Sequence, residues 1–248
     1  MILRAAAATD VGRRRGANED RYALAPDLGL FLVADGMGGH SAGQVASQLA
    51  AEAALEAVRA LDGASVSLTE KLRQAVEIAN RRIHNAAQSQ RELAGMGTTL
   101  VSILATEDRV ALAHVGDSRA YLVRRGRIRC LTDDHSLVGE LLRRREIDEA
   151  AAREHPHRHV LTRAVGVRRV VQPDLAELTP VAGDLFLMCS DGLTTHVEDA
   201  EIAEVVTPDA EPQDVCDQLV GTANERGGEG NGQQGAGEDD DVGHSGFL

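Results

Sequence analysis

Two apolar stretches of this chain each run directly into an Asp-Gly pair, and this feature constrains the fold and the chemistry most. Residues 30–34 lead into Asp35 and Gly36, and residues 185–190 lead into Asp191 and Gly192. An Asp in this position projects from the end of a strand, and the Gly lets the backbone turn so that its carbonyl can face the same point. One such pair more often marks only a turn. Two of them, with a third acidic motif at residues 9–20, indicate a site for hard divalent cations, which favour carboxylate and carbonyl oxygens.

The elements around these motifs come in groups. A Pro-Asp-Leu-Gly turn within residues 22–34 predicts a hairpin. Residues 42–61 and 69–88 have apolar side chains at helical spacing, with Thr69 as the predicted N-cap of the second helix. Short strands follow, then an irregular helical insertion, a buried strand and two more helices. These are predicted at residues 98–105, 110–115, 119–125, 127–132, 136–155, 185–190, 199–206 and 213–225.

Strands grouped apart from helices favour an antiparallel sheet system flanked by helices, an α+β fold, over a doubly wound parallel sheet. The 248 residues suffice for one domain, and the 2% aromatic content leaves Val, Leu, Ile and Ala to fill its core. We place this domain at residues 1–225. Residues 226–248 are Gly-rich and acidic, which predicts a flexible tail from composition.

Charge and composition exclude several classes of function. The net charge of −13 argues against a nucleic-acid partner, which would require a basic face. No apolar run reaches the roughly 20 residues of a membrane span, and residues 1–10 lack the features of a signal peptide. Cys130, Cys189 and Cys216 have no metal-binding spacing, so reduced, mostly buried thiols are expected. A cytoplasmic protein with no membrane partner is the simplest interpretation.

Seven short motifs, taken together and in this order, resemble the bacterial members of the type 2C, metal-dependent (PPM-type) protein serine/threonine phosphatases. The resemblance extends from near residue 9 to about residue 225 and includes an ungapped match to D-G-M-G-G-H. It implies a central antiparallel β-sandwich with helices on both faces, in four αββα layers. The motifs lie at residues 9–20, 35–40, 97–99, 115–119, 131–136, 155–166 and 190–193.

The resemblance also implies roles for the acidic residues. Asp35 would bridge two core ions, Mn²⁺ or Mg²⁺, with the Gly36 carbonyl and Glu19 on one ion and Asp191 on the other. Asp20 would lie beside them and hold water. Two ions so placed can polarise a bridging water and clamp the phosphoryl oxygens during in-line attack.

Three further roles follow from the same resemblance. Arg15 would grip the substrate phosphate, since a guanidinium fork matches phosphate oxygens. Asp117, with Asp191, would bind a third, weaker ion. His40 is either the general acid for the leaving oxygen or a structural partner at a helix start.

The remaining His and Arg residues are assigned mainly structural roles. His114 and His135 are expected to be structural or to support the site from behind it, and the alternation of His155, His157 and His159 is not taken as a zinc site. The insertion at residues 136–160 would be a flap beside the site. Its run of three Arg residues, 143–145, either attracts acidic or phosphorylated substrates or is a solvated helix face.

The resemblance breaks near the C-terminus. The family's last metal-binding Asp is replaced by Gly230 when the Gly-Gly pair at 227–228 is aligned. An alternative alignment inserts the Gly-rich segment first and makes Asp240 the last metal ligand, which we favour; Glu229 could also reach the site. Residues 243–248 then make a poor strand, and a truncated or shifted reading frame would explain the break equally well.

The predicted function is hydrolysis of phosphoserine and phosphothreonine on proteins by a metal-activated water. The predicted partners are phosphorylated proteins and a cognate Ser/Thr kinase whose action the enzyme opposes. The alternative, supported by the altered C-terminal motif, is a catalytically weak regulatory module that keeps the fold and binds phosphoproteins.

Overall fold

The computed structural model describes residues 3–12, 17–38, 42–228 and 245–247. Its strands are β1 (Ala6–Ala8), β2 (Asp20–Ala25), β3 (Leu30–Met37), β4 (Gly97–Thr98), β5 (Leu100–Ala105), β6 (Val110–Val115), β7 (Arg119–Arg124), β8 (Arg127–Cys130), β9 (Asp174–Leu178), β10 (Leu185–Cys189) and β11 (Ser245–Phe247). Its α-helices are α1 (Ala42–Ala60), α2 (Leu68–Ser89), α3 (Leu137–Arg143), α4 (Glu149–Arg153), α5 (Asp191–Thr194), α6 (Asp199–Val205) and α7 (Pro212–Gly228). In the described part of the chain, no helix is long and apolar enough to cross a membrane.

The strands form two antiparallel sheets. The first sheet has the order β1-β11-β10-β7-β8, and the second has the order β2-β3-β5-β6-β9, with β4 paired to β3. The predicted hairpin is β2–β3, whose register pairs Asp20 with Asp35 and Ala25 with Leu30. Gly29 in its turn has a φ of +67°, and a Cβ there would lie 2.1 Å from the Ala105 carbonyl oxygen, so the close approach of β5 requires Gly.

Three buried apolar clusters hold the layers together. One lies between the sheets and contains Phe31, Ile103 and Met188. A second packs α1 and α2 against the second sheet, and a third packs the C-terminal helices against the first sheet. The helices thus cover the two outer faces of a β-sandwich, and the predicted αββα architecture is confirmed.

The helices at 42–61 and 69–88 are confirmed as α1 and α2, but the predicted N-cap of α2 is wrong. Ser67 has the extended backbone of a cap, and its hydroxyl accepts the Glu70 amide hydrogen bond at 3.1 Å. Thr69 lies within the first helical turn. The chain therefore enters the helix two residues earlier than its apolar pattern indicates.

The C-terminal segment contributes to the fold at both of its ends. The last helix continues to Gly228, and the Arg226 guanidinium pairs with Glu201. Ser245–Phe247 forms a strand between β1 and β10, so the expectation of a poor strand is wrong for these three residues. Strands on both sides supply backbone hydrogen bonds whatever the side chains are, which is why a Gly-containing segment is accepted there.

Candidate metal centre

Two carboxylates face each other where β2 and β3 meet at the end of the sandwich. Asp20, only 1% exposed, is paired with Asp35 in the antiparallel register. Side chains at directly opposed positions lie on one face about 5 Å apart, and like charges there repel. Burial and the charges of Asp20, Asp191 and Asp117 raise the pKa of Asp35 well above its ordinary value. Four sequence-predicted site residues are therefore brought together.

Asp117 reaches this centre from the connection between β6 of the second sheet and β7 of the first, and Asp191 reaches it from the end of β10 in the first sheet. Asp117 follows β6, and burial together with the charges of Asp191 and Asp134 raises its pKa. Asp191 begins α5, directly after Ser190, whose hydroxyl donates a hydrogen bond of 2.9 Å to Asp20 Oδ2. The two sheets thus supply carboxylates to one point.

Glu19 and Gly36 meet at the start of α1. The Gly36 amide donates to the Glu19 carbonyl at 3.2 Å, and the Ser47 hydroxyl donates to the same oxygen. A Cβ on Gly43 would lie 2.8–2.9 Å from the Glu19 carboxyl group, so only Gly leaves room for that side chain. Gly43 and Ser47 were not singled out from the sequence, because a Gly and a Ser within an Ala-rich helix carry no local signal for a partner so distant in the chain.

The segment after β4 holds the backbone of Asp35 in place. The Asp35 amide donates to Thr99 Oγ1 at 2.9 Å, and the Asp35 carbonyl accepts from Thr98 Oγ1 at 2.7 Å and from the Thr99 amide at 2.8 Å. Thr99 Oγ1 also shares a hydrogen bond of 2.6 Å with Ser118 Oγ, next to Asp117. The Gly-Thr-Thr motif was recognised in the sequence, and the structure gives it this positioning role.

We expect Thr99→Val to weaken metal binding by about tenfold to a hundredfold, because the isosteric side chain cannot hold the Asp35 amide or Ser118. Thr99→Ser should restore most of that loss. Calorimetric titration with Mn²⁺ measures the affinity of both variants. Equal affinities for Thr99→Val and the unaltered protein would reduce Thr99 to a packing residue.

A pair of histidines supports the turn that carries Asp117. His135 Nδ1 accepts the Gly116 amide at 3.1 Å, so its proton lies on Nε2, which donates to Asp174 Oδ2 at 3.1 Å. The His114 and His135 rings lie 4.4 Å apart. Burial lowers the pKa of His114 to about 3 and also lowers that of His135. Both rings are thus neutral. These contacts agree with the predicted structural or supporting role of His114 and His135, which stays a prediction.

The buried His114 predicts acid sensitivity of the metal-free protein. Its pKa is about 3 when folded and about 6.5 when unfolded. Its contribution to stability is therefore complete above pH ~6.5, and it is lost as the pH falls because the unfolded chain then binds a proton that the folded protein does not. We expect His114 to account for about 2 kcal/mol of the loss between pH 7 and pH 5. Urea unfolding in EDTA at both pH values should show a smaller decrease for His114→Leu. Parallel decreases for the two proteins would contradict this.

The donor chemistry fits hard divalent cations. The converging Asp side chains offer oxygen donors, and the neighbouring carboxylates raise the pKa of Asp35 and Asp117, a repulsion that a cation would offset. Among the described residues, no three His, Cys, Asp or Glu side chains already have the geometry of a metal site.

Three predicted site residues, Arg15, His40 and Asp240, lie outside the described residues, as do Glu229 and Gly230.

The flap brings one further residue to the centre. His159 Nδ1 lies 3.9 Å from Asp191 Oδ2. His155 and His157 contact each other instead, with ring centroids 5.8 Å apart. At the base of the flap, the Arg143 guanidinium donates to the Asp134 carbonyl at 2.8 Å. The sequence pattern alone did not separate His159 from its two neighbours.

Comparison with known proteins identifies this arrangement. The family model described as "Protein phosphatase 2C" matches residues 15–232. The chain belongs to the protein phosphatase 2C family. It is 39% identical over 228 residues to the serine/threonine phosphatase stp of Listeria monocytogenes, covering 90% of each chain.

Solved structures agree with this membership. The serine/threonine phosphatase PstP/Ppp of Mycobacterium tuberculosis superposes with a TM-score of 0.86 at 35% identity, covering 100% of this chain and 98% of the other. The catalytic domain of PstP in complex with two manganese ions superposes with a TM-score of 0.82 at 34% identity, covering 98% and 96%. This protein phosphatase 2C is therefore a metal-dependent hydrolase acting on phosphoserine and phosphothreonine of proteins, and nothing in these relatives favours the alternative of a regulatory module.

Proposed function

We propose that this protein phosphatase 2C works with two core cations, Mn²⁺ or Mg²⁺, at the centre formed by Asp20, Asp35, Asp117 and Asp191. The observation that carries the proposal is the convergence of these four carboxylates from both sheets, where the charges of Asp20, Asp117 and Asp191 raise the pKa of Asp35 and the charge of Asp191 raises that of Asp117. The manganese-bound PstP structure supports the same number of ions.

Each residue then has a distinct task. Asp35 would contribute to both ions, Glu19 and the Gly36 carbonyl would hold one, and Asp191 would hold the other. When bound, the ions supply a water nucleophile at neutral pH and offset charge on the phosphoryl oxygens. Asp20, fixed by the Ser190 hydroxyl, orients that water and can accept its proton.

The substrate-facing residues complete the proposal. Arg15 binds the substrate phosphate, and His40 is either the proton donor to the leaving Ser or Thr oxygen or a support for the start of α1. Asp117, with Asp191, would hold a third ion. Since the substrates are phosphorylated Ser and Thr side chains, a Ser/Thr kinase must supply them, and we propose that the enzyme opposes such a kinase.

Turnover of p-nitrophenyl phosphate tests the metal dependence directly. We expect saturable activation by Mn²⁺, no activity in excess EDTA, and recovery when Mn²⁺ is added back. Activity that survives EDTA treatment, with metal removal verified by elemental analysis, would refute the proposal.

We also propose Asp240 as the last metal ligand. Ser245 is paired with Cys189, two residues before Asp191, so the chain enters β11 at the metal end of the first sheet. Asp240 precedes Ser245 by five positions, and a fully extended chain covers up to about 17 Å over that separation. This reach is sufficient for its carboxylate to approach the centre.

Asp240→Ala should therefore raise the Mn²⁺ concentration needed for half-maximal activity by about tenfold, because a missing anionic ligand weakens the site. Gly230→Asp should have little effect if Asp240 fills the position. A wild-type Mn²⁺ curve from Asp240→Ala, with a lower requirement in Gly230→Asp, would show that no residue replaces the family's last carboxylate.

A further inference from the structure

A groove of about 410 Å³ lies beside the metal centre, between the segment after the flap and the loop that follows it. Its wall is mainly apolar, with two cationic side chains. The lining includes Met37, Leu161, Arg163, Val167, Arg168 and Val170. None of these residues belongs to the proposed metal centre.

The loop at residues 166–172 is held in a fixed shape by side chains that form hydrogen bonds with its backbone. Asn80 is only 2% exposed. Its side-chain Oδ1 accepts a hydrogen bond from the Gly166 N–H at 2.7 Å, and its Nδ2 donates to the carbonyls of Arg168 and Arg169 at 3.0 and 3.2 Å. At its far end, the Arg163 guanidinium donates to the Gln172 carbonyl at 3.0 Å. A buried polar side chain is thus committed to the conformation of a surface loop.

This fixed loop presents apolar and cationic side chains to solvent. Val170 is 76% exposed and Val167 is 47% exposed. Arg168 and Arg169 are exposed, and neither forms an ion pair with any residue that the structure describes. In a chain with a net charge of −13, two adjacent unpaired cations give this loop a local charge opposite to that of the molecule.

The groove is continuous with the catalytic end of β3. Met37 follows Asp35 by two residues, a distance of about 7 Å along a strand. A Cβ on Gly97 would lie 2.7 Å from Val167 Cγ2 and 2.8 Å from Met37 Cε, so the loop packs directly against the segment that holds Asp35. An extended peptide advances about 3.3 Å per residue, so its second residue from the phosphorylated one would reach the groove.

We propose that this groove binds the polypeptide segment flanking the phosphorylated residue of the substrate, with an apolar side chain against Met37 and Val170 and an acidic side chain beside Arg168, which lines the groove, and the adjacent Arg169 of the loop. The proposal rests on the proposed phosphatase function and specifies its substrate class. The rigid loop lowers the cost of ordering the site on binding, and its cations complement an acidic peptide.

Phosphothreonine peptides test this preference. The panel places Leu or Glu two residues before or two residues after phosphothreonine, and the control peptides carry Ser in place of Leu and Lys in place of Glu. The Leu- and Glu-containing peptides should have a higher kcat/KM than their controls either before or after the phosphothreonine, but not in both positions. The double variant Arg168→Glu, Arg169→Glu should lose about fivefold to tenfold in kcat/KM on the acidic peptide relative to p-nitrophenyl phosphate, and less at high salt. Val170→Ser should lose about threefold on the Leu peptide.

Arg127→Glu is the matched control, since Arg127 is an exposed Arg on β8 of the other sheet. It should leave the ratio of kcat/KM on the acidic peptide to kcat/KM on p-nitrophenyl phosphate unchanged. Melting temperatures check that all variants fold. If this ratio is unchanged in the loop variants, the docking proposal is overturned. The same conclusion holds if the variants alter self-association or the capture of a separate protein while the ratio stays unchanged. Absence of Mn²⁺-dependent turnover of p-nitrophenyl phosphate in the unaltered protein would instead overturn the proposed function.

Discussion

Asp35→Asn should abolish turnover, with a loss of at least about a thousandfold, while making the metal-free protein more stable at neutral pH. The loss follows because both proposed ions depend on this carboxylate. The gain follows because the variant removes the Asp35 charge, which burial and the charges of Asp20, Asp191 and Asp117 disfavour in the folded state. A carboxyl group whose pKa is raised by folding stabilises the protein below its unfolded pKa of about 4, and this contribution is lost as the pH rises through the folded pKa.

Thermal unfolding separates the two effects. In EDTA at pH 7, Asp35→Asn should unfold at a higher temperature than the unaltered protein, and the difference should vanish near pH 4. Added Mn²⁺ should raise the unfolding temperature of the unaltered protein only, since a ligand stabilises the state that binds it. An equal Mn²⁺-induced shift in both proteins would remove Asp35 from the metal site.

Gly36→Ala should cost about 3 kcal/mol of folding stability and most of the activity. A Cβ at residue 36 would lie 2.1 Å from the Gly43 carbonyl oxygen and 2.7 Å from the Glu19 carbonyl oxygen. These are backbone atoms of β3's neighbours, so they cannot rotate away as a side chain could. The collision would separate β3 from α1 and displace Glu19 from the centre.

Gly221→Ala provides the matched control. Gly221 lies within α7, and a Cβ there would meet no atom within 4 Å. This variant should be neutral or stabilise the protein by up to about 1 kcal/mol, since Ala is the better helix former. Urea unfolding of both variants gives the comparison; similar stabilities would mean that the chain relaxes around residue 36 at little cost.

The sequence predicted most elements because its apolar periodicity and its turns are local signals. The β2–β3 hairpin and the helices α1 and α2 arise from such patterns, and the structure confirms them. The strand Ser245–Phe247 could not be predicted, because its stability comes from partners on β1 and β10 that are distant in the chain.

The same distinction applies to the candidate site. Carboxylates at strand ends indicated a cation site, and the structure brings Asp20, Asp35, Asp117 and Asp191 together. The hydrogen bond from the Asp35 amide to the Thr99 hydroxyl joins residues 64 positions apart in the sequence, and residue types alone do not reveal it. The approach of Gly43 to Glu19 is equally invisible, since it depends on how α1 packs against the hairpin.

The position of β11 between β1 and β10 in the first sheet has a consequence for handling the protein. Loss of residues 245–247, however it arises, would leave β1 and β10 each with an unpaired row of backbone amides and carbonyls. Such open edges are templates for pairing with another chain, so the clipped protein would be prone to intermolecular aggregation. The integrity of these three residues would then limit shelf life and recombinant yield.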